Sequence, residues 1–446
     1  MSRHNRAAGL SRRAALLLPL AAAGCDTLGS WFGENKESLP GTRIAIITSK
    51  RGLEPDIPAG RTVSVPPPGA PAAWPQAGAN PAHVVGNPPL GARLAEAWSS
   101  DFGRGSGYRR KVTAQPVAAA GRVFTMDADA VVTAFSLKDG TRLWRLDTLS
   151  EDDDSTNVGG GIAIDGDTLY AANGLAEVLA IEAATGKVRW RKTIDSAARA
   201  APTIADGRLY IPMLDDKLVA LSAKDGTRVW GYQATSATTA VLGLPSPAYA
   251  DGLLVAGFGS GDLVCLRADS GAVAWTDSLA SSRGRNSLVD LSSLRGRPAI
   301  AEGRVYAIGI GGLMVGSDLR SGRRLWERDV GSEESPWVAG DWVFILSSDS
   351  QVAAVSLADG TVAWVTQLPA YEDEKEKKDP IRWVGPVLAG GTLFAFSSTG
   401  LGKQFDPLTG KDRGQFEIAG PAILAPSVAD ATLLLPIKSG RLQAFR

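Results

Sequence analysis

Seven glycine-centred turns recur along this chain of 446 residues, at intervals from 38 residues (Gly322 to Gly360) to 51 residues (Gly271 to Gly322). Six of the seven glycines are followed by tryptophan at the fourth residue. The turn glycines are Gly140, Gly186, Gly226, Gly271, Gly322, Gly360 and Gly410, and the tryptophans are Trp144, Trp190, Trp230, Trp275, Trp326 and Trp364. Recurrence at about 20 to 50 residues indicates stacked units that bury their apolar faces against one another. This repeat constrains the fold more than any single motif.

Two series of short alternating apolar runs accompany the turns. One precedes each turn, as at residues 131–135, and the other opens on a tight turn, as at residues 207–210; each series has eight members. Runs of this length and period are typical of strands, and no stretch has a sustained helical period. Several strands per unit of about 45 residues predict a β-propeller. The chain is therefore predicted to be all-β, an eight-bladed β-propeller of four-stranded antiparallel blades.

The two ends of the repeat predict how the ring closes. The eighth unit stops at residue 445 without an outermost strand, and residues 94–98 form such a strand with no blade before it. Pairing of the N-terminal and C-terminal strands would complete the last blade and remove two exposed sheet edges. The tryptophans are expected between blades, because an indole ring buries about 150 to 250 Å².

The amino terminus has the order of an export signal. Four arginines precede the apolar residues 14–23, and this run is shorter than the roughly 20 residues that a membrane span needs. Residues 22–25, Ala-Ala-Gly-Cys, resemble a bacterial lipobox, and Sec or twin-arginine export both stay open. The predicted organisation is a lipoprotein signal peptide over residues 1–24, a lipidated Cys25 and Pro-rich tether over 25–70, and the propeller over 71–446.

Composition excludes several classes of function. Lys plus Arg and Asp plus Glu both total 47, so no excess charge favours nucleic acid. Two histidines and two cysteines leave no multi-histidine metal site, no disulfide framework and no Ser-His-acid arrangement. No catalytic residue, cofactor site or metal site is therefore nominated. The charged segments 151–155 and 371–379 are expected to be solvated loops, and a partner contact by 371–379 is left open.

The repeat of strand, Asp/Thr-Gly, three residues and Trp resembles that of pyrroloquinoline-quinone (PQQ) dehydrogenases, which are eight-bladed. Those enzymes usually carry adjacent cysteines, which this chain lacks. The lipobox, the Pro-rich segment and residues 74–80, 334–341, 364–368 and 381–386 are instead similar to the BamB family of lipoproteins. That resemblance implies a non-catalytic scaffold of the outer-membrane β-barrel assembly (BAM) complex, lipid-anchored on the periplasmic face of the bacterial outer membrane.

The family binds a POTRA domain of BamA through loops on one propeller face and assists insertion of β-barrel proteins. The resemblance assigns partner binding to Arg199, in the loop 198–203, and to Asp290 and Ser292, in the loop 289–292. Two alternatives stay open: a PQQ-dependent periplasmic oxidoreductase, and a propeller that binds peptidoglycan or unfolded outer-membrane proteins. Asp26, after the lipidated cysteine, leaves inner or outer membrane placement open.

Replacing the acylated thiol tests the anchor. Cys25→Ser is expected to abolish acylation and to release the protein from membranes into the soluble periplasmic fraction, because a hydroxyl does not replace the thiol at the lipobox. Mass spectrometry of the amino-terminal peptide and fractionation of both proteins measure this. A wild-type amino terminus without acyl chains would disprove the lipid anchor.

Overall fold

The computed structural model describes residues 49–69, 72–149, 157, 159–235, 243–280 and 293–446. These residues form 35 β-strands and one short 3-10 helix, Leu214–Asp216. Within these ranges, no helix has the length and apolarity needed to cross a bilayer. Strand β1 (Ser49–Arg51) precedes the ring, and β2 (Glu96–Asp101) belongs to its last blade.

Eight four-stranded antiparallel blades follow one another around an axis, each running from an innermost to an outermost strand. Blade 1 comprises β3 (Val117–Ala119), β4 (Arg122–Met126), β5 (Val131–Ser136) and β6 (Arg142–Asp147), and blade 2 comprises β7 (Gly160–Asp165), β8 (Thr168–Asn173), β9 (Glu177–Glu182) and β10 (Val188–Thr193). Blade 3 comprises β11 (Thr203–Ala205), β12 (Arg208–Met213), β13 (Lys217–Ser222) and β14 (Arg228–Gln233), and blade 4 comprises β15 (Ala248–Ala250), β16 (Leu253–Gly257), β17 (Asp262–Arg267) and β18 (Val273–Ser278).

Blades 5 to 8 repeat this arrangement, with one extra hairpin between blades 6 and 7. Blade 5 comprises β19 (Ala299–Ala301), β20 (Arg304–Ile308), β21 (Met314–Asp318) and β22 (Arg324–Asp329), and blade 6 comprises β23 (Trp337–Ala339), β24 (Trp342–Leu346), β25 (Gln351–Ser356) and β26 (Val362–Gln367). The extra hairpin is β27 (Tyr371–Asp373) and β28 (Lys378–Pro380). Blade 7 comprises β29 (Trp383–Ala389), β30 (Thr392–Ser397), β31 (Leu401–Phe405) and β32 (Asp412–Glu417), and blade 8 comprises β33 (Ser427–Ala429), β34 (Thr432–Ile437) and β35 (Arg441–Phe445) together with β2. Residues 371–379, expected to be a loop, thus form most of a short hairpin.

The ring is closed by its two ends. Strand β2 pairs antiparallel with β35, with Trp98 opposite Ala444 and Asp101 opposite Arg441. The observed strand begins two residues later than the predicted closing strand, residues 94–98, and the pairing continues beyond it as Ala95 exchanges backbone hydrogen bonds with Arg446 at the end of the chain. The prediction of an eight-bladed propeller closed in this way is confirmed.

Each tryptophan of an outermost strand packs on the turn glycine of the next blade. The seven pairs are Trp98–Gly140, Trp144–Gly186, Trp190–Gly226, Trp230–Gly271, Trp275–Gly322, Trp326–Gly360 and Trp364–Gly410. A β-carbon on any of these glycines would lie 2.4 to 2.9 Å from an atom of the indole ring, and their φ angles are +69° to +78°. Glycine is required there for both reasons. In blade 7 the tryptophan position is Gly414, and Phe416, two residues later, meets Phe445 of blade 8 edge-on at 5.5 Å between ring centroids.

Residues 49–69, assigned to the tether by sequence, lie against blades 5 and 6. Strand β1 pairs in parallel with β22, the outermost strand of blade 5. Asp56 accepts a hydrogen bond of 2.8 Å from Arg328, whose side chain is 1% exposed, and Arg61 lies over the Trp342 ring and pairs with Asp359. This part of the segment is therefore packed on the propeller.

Substitutions at two glycines of blade 1, Gly121 and Gly140, distinguish the cost of backbone strain from the cost of interblade overpacking, because both glycines have a φ of +72°. A β-carbon on Gly140 would meet the Trp98 ring at 2.5 Å, whereas nothing lies within 4 Å of one on Gly121. Gly121→Ala should therefore carry only backbone strain, and Gly140→Ala should lose about 1–3 kcal/mol more from overpacking. Denaturant unfolding of both variants measures the difference in their free energies of unfolding. Equal losses of stability would show that contact with Trp98 does not require glycine at position 140.

Candidate functional site

Residues 74–90, which we call the floor segment, follow the innermost strands around the ring and bind the blades in succession. The hydrogen bonds to blades 1 to 7 join Trp74 N to Ala118 O, Ile164 N to Pro75 O, Ile204 N to Gln76 Oε1, Tyr249 N to Pro81 O, Ile300 N to Ala82 O, Gly86 N to Val338 O and Gly390 N to Pro88 O. Gln115 then links Gly78 N to the carbonyls of Ala425 and Pro426 before blade 8. The floor segment thus closes the channel and exchanges hydrogen bonds with backbone groups of seven blades.

Above the floor segment lies a cavity of 530 Å³, which we call the axial cavity. Its walls are loops that join the outermost strand of one blade to the innermost strand of the next, and we call the face bearing these loops the upper face. Trp74 and Trp337 stack at its base, with ring centroids 6.1 Å apart. Six basic side chains and two carboxylates line it among the described residues, so its charge there is positive.

Both carboxylates lie in the loop before blade 6. Glu333 accepts hydrogen bonds from Arg295 at 2.6 Å and Arg382 at 3.3 Å, which ties the loops of three successive blades together. Glu334 accepts one from the backbone N–H of Gly385 at 3.3 Å, and burial raises its pKa. Arg297 lies near Glu334, and burial lowers the pKa of the Arg297 guanidinium to about 10.

His83, at the base of the axial cavity, is held as a neutral ring. Its Nδ1 lies 2.7 Å from the carbonyl oxygen of Pro298, which can only accept, so Nδ1 carries the proton and Nε2 is the acceptor. The side chain is 6% exposed. Burial and then the nearby charge of Arg297 lower the pKa of His83 to about 3. Gly78 packs on the ring, since a β-carbon there would lie 2.7 Å from Cδ2.

Arg199 is the one predicted partner-binding residue that the structure describes. Its backbone N–H donates to Pro212 and its carbonyl accepts from Leu244, so the loop is held between blades 3 and 4. The half-buried side chain lines the axial cavity, and burial lowers the pKa of the guanidinium. Asp290, Ser292 and Cys25 lie outside the described residues.

His83, Arg297 and Glu334 were not identified as site residues from sequence. Glu334 belongs to one of the motifs that carry the family resemblance, and His83 follows another, but neither motif shows that the two meet at one cavity. Within the described ranges, no group of three His, Cys, Asp or Glu side chains could hold a metal ion. Cys265 is buried, which raises the pKa of its thiol to about 12.

The family model and the most similar sequences point to one family. A family model described as outer membrane protein assembly factor BamB matches residues 95–155 and 128–366. Proteins of that name are 25% identical over 358 residues in Yersinia pestis, covering 78% of this chain and 88% of that protein, and 24% identical over 349 residues in Escherichia coli K12, covering 77% and 86%.

Solved structures show the same fold. The crystal structure of BamB from Moraxella catarrhalis matches with a TM-score of 0.67 at 18% identity, over 79% of this chain and 100% of that chain. A quinohemoprotein alcohol dehydrogenase from Comamonas testosteroni matches with a TM-score of 0.63 at 14% identity, over 84% and 80%. At these identities, the structural likeness extends to the propeller alone.

The buried neutral histidine predicts a pH dependence of stability. Since its pKa falls from 6.5 in the unfolded chain to about 3 in the fold, the unfolded state binds more protons between these values, and stability is lost as pH falls below 6.5. From pH 7 to pH 5 the free energy of unfolding should fall by about 2 kcal/mol more in the wild type than in His83→Asn. Asparagine is the replacement because it adopts the φ of +58° at this position more readily than most other residues. Denaturant unfolding at both pH values measures this; parallel losses would disprove the assignment to His83.

Proposed function

Because this chain belongs to the BamB family of outer membrane protein assembly factors, we propose that it is a non-catalytic scaffold of the BAM complex. The observation that carries the proposal is the family match, which extends from residue 95 to residue 366 and includes the loops of six blades. The scaffold binds a POTRA domain of BamA and assists insertion of β-barrel proteins. It is anchored by lipid at Cys25 on the periplasmic face of the outer membrane.

The upper face is the proposed contact surface for BamA. Arg199 lies there beside the axial cavity, and its loop is fixed by backbone hydrogen bonds to Pro212 and Leu244. A side chain on a rigid loop loses little conformational freedom on binding, which favours affinity. Asp290 and Ser292, in the chain segment between β18 and β19, are proposed to extend the same contact.

A quinone-dependent oxidoreductase is less well supported. The chain's two cysteines, Cys25 and Cys265, are far apart in sequence, and the dehydrogenases resemble it at the level of fold. The charged side chains around the axial cavity that the structure describes are six arginines and lysines and two carboxylates, and both carboxylates lie close to arginines. This donor set suits an anionic protein surface better than a metal ion.

Truncation of Arg199 tests the contact. Arg199→Ala should weaken binding to the POTRA segment of the organism's own BamA by roughly thirtyfold, since loss of an arginine anchor at an interface costs about 2 kcal/mol. Calorimetric titration measures the affinity, and a melting curve checks that the variant is folded.

The matched control is Arg142→Ala, on the exposed outermost strand of blade 1. It removes the same charge away from the upper face and should change the affinity less than twofold, as is usual for an exposed charge outside an interface. Equal affinities for wild type and both variants would remove Arg199 from the contact. Absence of any BamA binding by the wild type would contradict the proposed scaffold function.

A further inference from the structure

A second hollow adjoins the axial cavity on the upper face. It has a volume of 460 Å³ and is formed by residues 104–110 together with Lys438. Ser106 and Lys438 line both hollows, so the two form one continuous depression from the axis outwards over the loop between β2 and β3. We call residues 104–111 with Lys438 the basic trough.

The basic trough carries five cationic side chains, and three of them form no ion pair with a described residue. Residues 104–111 read Arg-Gly-Ser-Gly-Tyr-Arg-Arg-Lys and contain no acidic residue. Asp129 accepts from both Arg104 and Arg110. Arg109, Lys111 and Lys438 are exposed, and no ion pair joins them to any residue in the part of the chain that the structure describes. Like charges held this close together favour an anionic ligand with several charges.

The axial end of the depression presents one donor and one acceptor that are buried and unsatisfied. Nε of Arg297 and Nε2 of His83 have no hydrogen-bond partner among the described residues. The two residues are adjacent in space, since His83 binds the carbonyl of Pro298, the residue after Arg297. Nε–H of arginine fits a carboxylate oxygen, and the lone pair of His83 Nε2 fits an N–H group. A peptide with an acidic side chain offers both.

At the outer end, Tyr108 is 94% exposed, the highest exposure among the large hydrophobic side chains described. An aromatic ring in this position offers contact area at a low entropy cost, and tyrosine is enriched at protein interfaces. The depression therefore has a carboxylate and N–H position at one end, several cations along its length and an aromatic contact at the other.

We infer that the axial cavity and the basic trough bind an extended acidic segment of another polypeptide, with one carboxylate at Arg297, a backbone N–H at His83 and further carboxylates along residues 109–111. Several cations in a row match repeated acidic side chains better than a single terminal carboxylate. This site goes beyond the proposed contact with BamA and does not depend on it.

Titration of the full chain, kept in solution by mild detergent, tests the inference without BamA. The probe is a short peptide of alternating Gly and Glu, acetylated and amidated at its ends; the comparison peptide has Gln in place of Glu. Binding is followed by calorimetry and by the fluorescence of the stacked Trp74 and Trp337. The Glu peptide should bind, more weakly as salt is raised, and the Gln peptide should bind at least about tenfold more weakly.

Three variants locate the site. Arg297→Gln should weaken binding of the Glu peptide by about tenfold or more, because the peptide carboxylate buried at this position would lose its cationic partner. Lys111→Gln combined with Lys438→Gln, both on exposed side chains, should weaken it by about threefold and reduce its salt dependence, and this pair remains informative if Arg297→Gln fails to fold. Arg142→Gln, on the outermost strand of blade 1, is the matched control and should bind as wild type.

Two further ligands separate other sources of negative charge. Citrate that binds as tightly as the Glu peptide, with the same loss in Arg297→Gln, would overturn the peptide assignment in favour of a small polycarboxylate. Vesicles with anionic lipid that bind through Lys111 and Lys438, while the Glu peptide does not bind, would likewise overturn it in favour of a membrane surface. Equal binding of the Glu and Gln peptides would remove the role of the carboxylates.

Discussion

The contact between a tryptophan of one blade and a turn glycine of the next determines the geometry of this ring. At seven interfaces the indole ring occupies the place of the missing β-carbon, and six of these rings also donate from Nε1 to a carbonyl of the next blade at 2.8 to 3.1 Å. At those six interfaces, neighbouring blades are therefore fixed to each other by an apolar and a polar contact of the same ring. Repeating one contact around a circle sets the angle between blades, and the pairing of β2 with β35 closes the circle.

A ring built in this way leaves a channel at its axis, and the floor segment turns that channel into a cavity. Six of the eight innermost strands are only three residues long, and the floor segment supplies hydrogen-bond partners to backbone groups of blades 1 to 7. The same segment places His83 at the axial cavity, which the arginines and glutamates of the loops before blades 5, 6 and 7 also line. Fold closure and the chemistry of the axial cavity thus depend on one stretch of chain.

Electrostatics around the axial cavity follow from this burial. Arg297 and Glu334 are brought under the loops, where burial lowers the pKa of the first and raises that of the second, while Glu333 is shared between Arg295 and Arg382. Paired charges of this kind hold the loops of blades 5, 6 and 7 in register. The remaining cations lie towards the rim and the basic trough, so the upper face presents positive charge to a partner although the whole chain has no formal net charge.

Sequence alone determined the blade number, the strand series, the interblade role of the tryptophans and the closure of the ring, because each depends on a local pattern repeated eight times. Through family resemblance it placed Arg199 on a loop that joins successive blades on one face of the propeller. It did not reveal the packing of residues 52–69 on blades 5 and 6, the hairpin at residues 371–380 or the meeting of His83 with Arg297, 214 residues apart in the chain. These contacts join single, non-repeated segments over long separations, so only the folded ring decides which residues become neighbours.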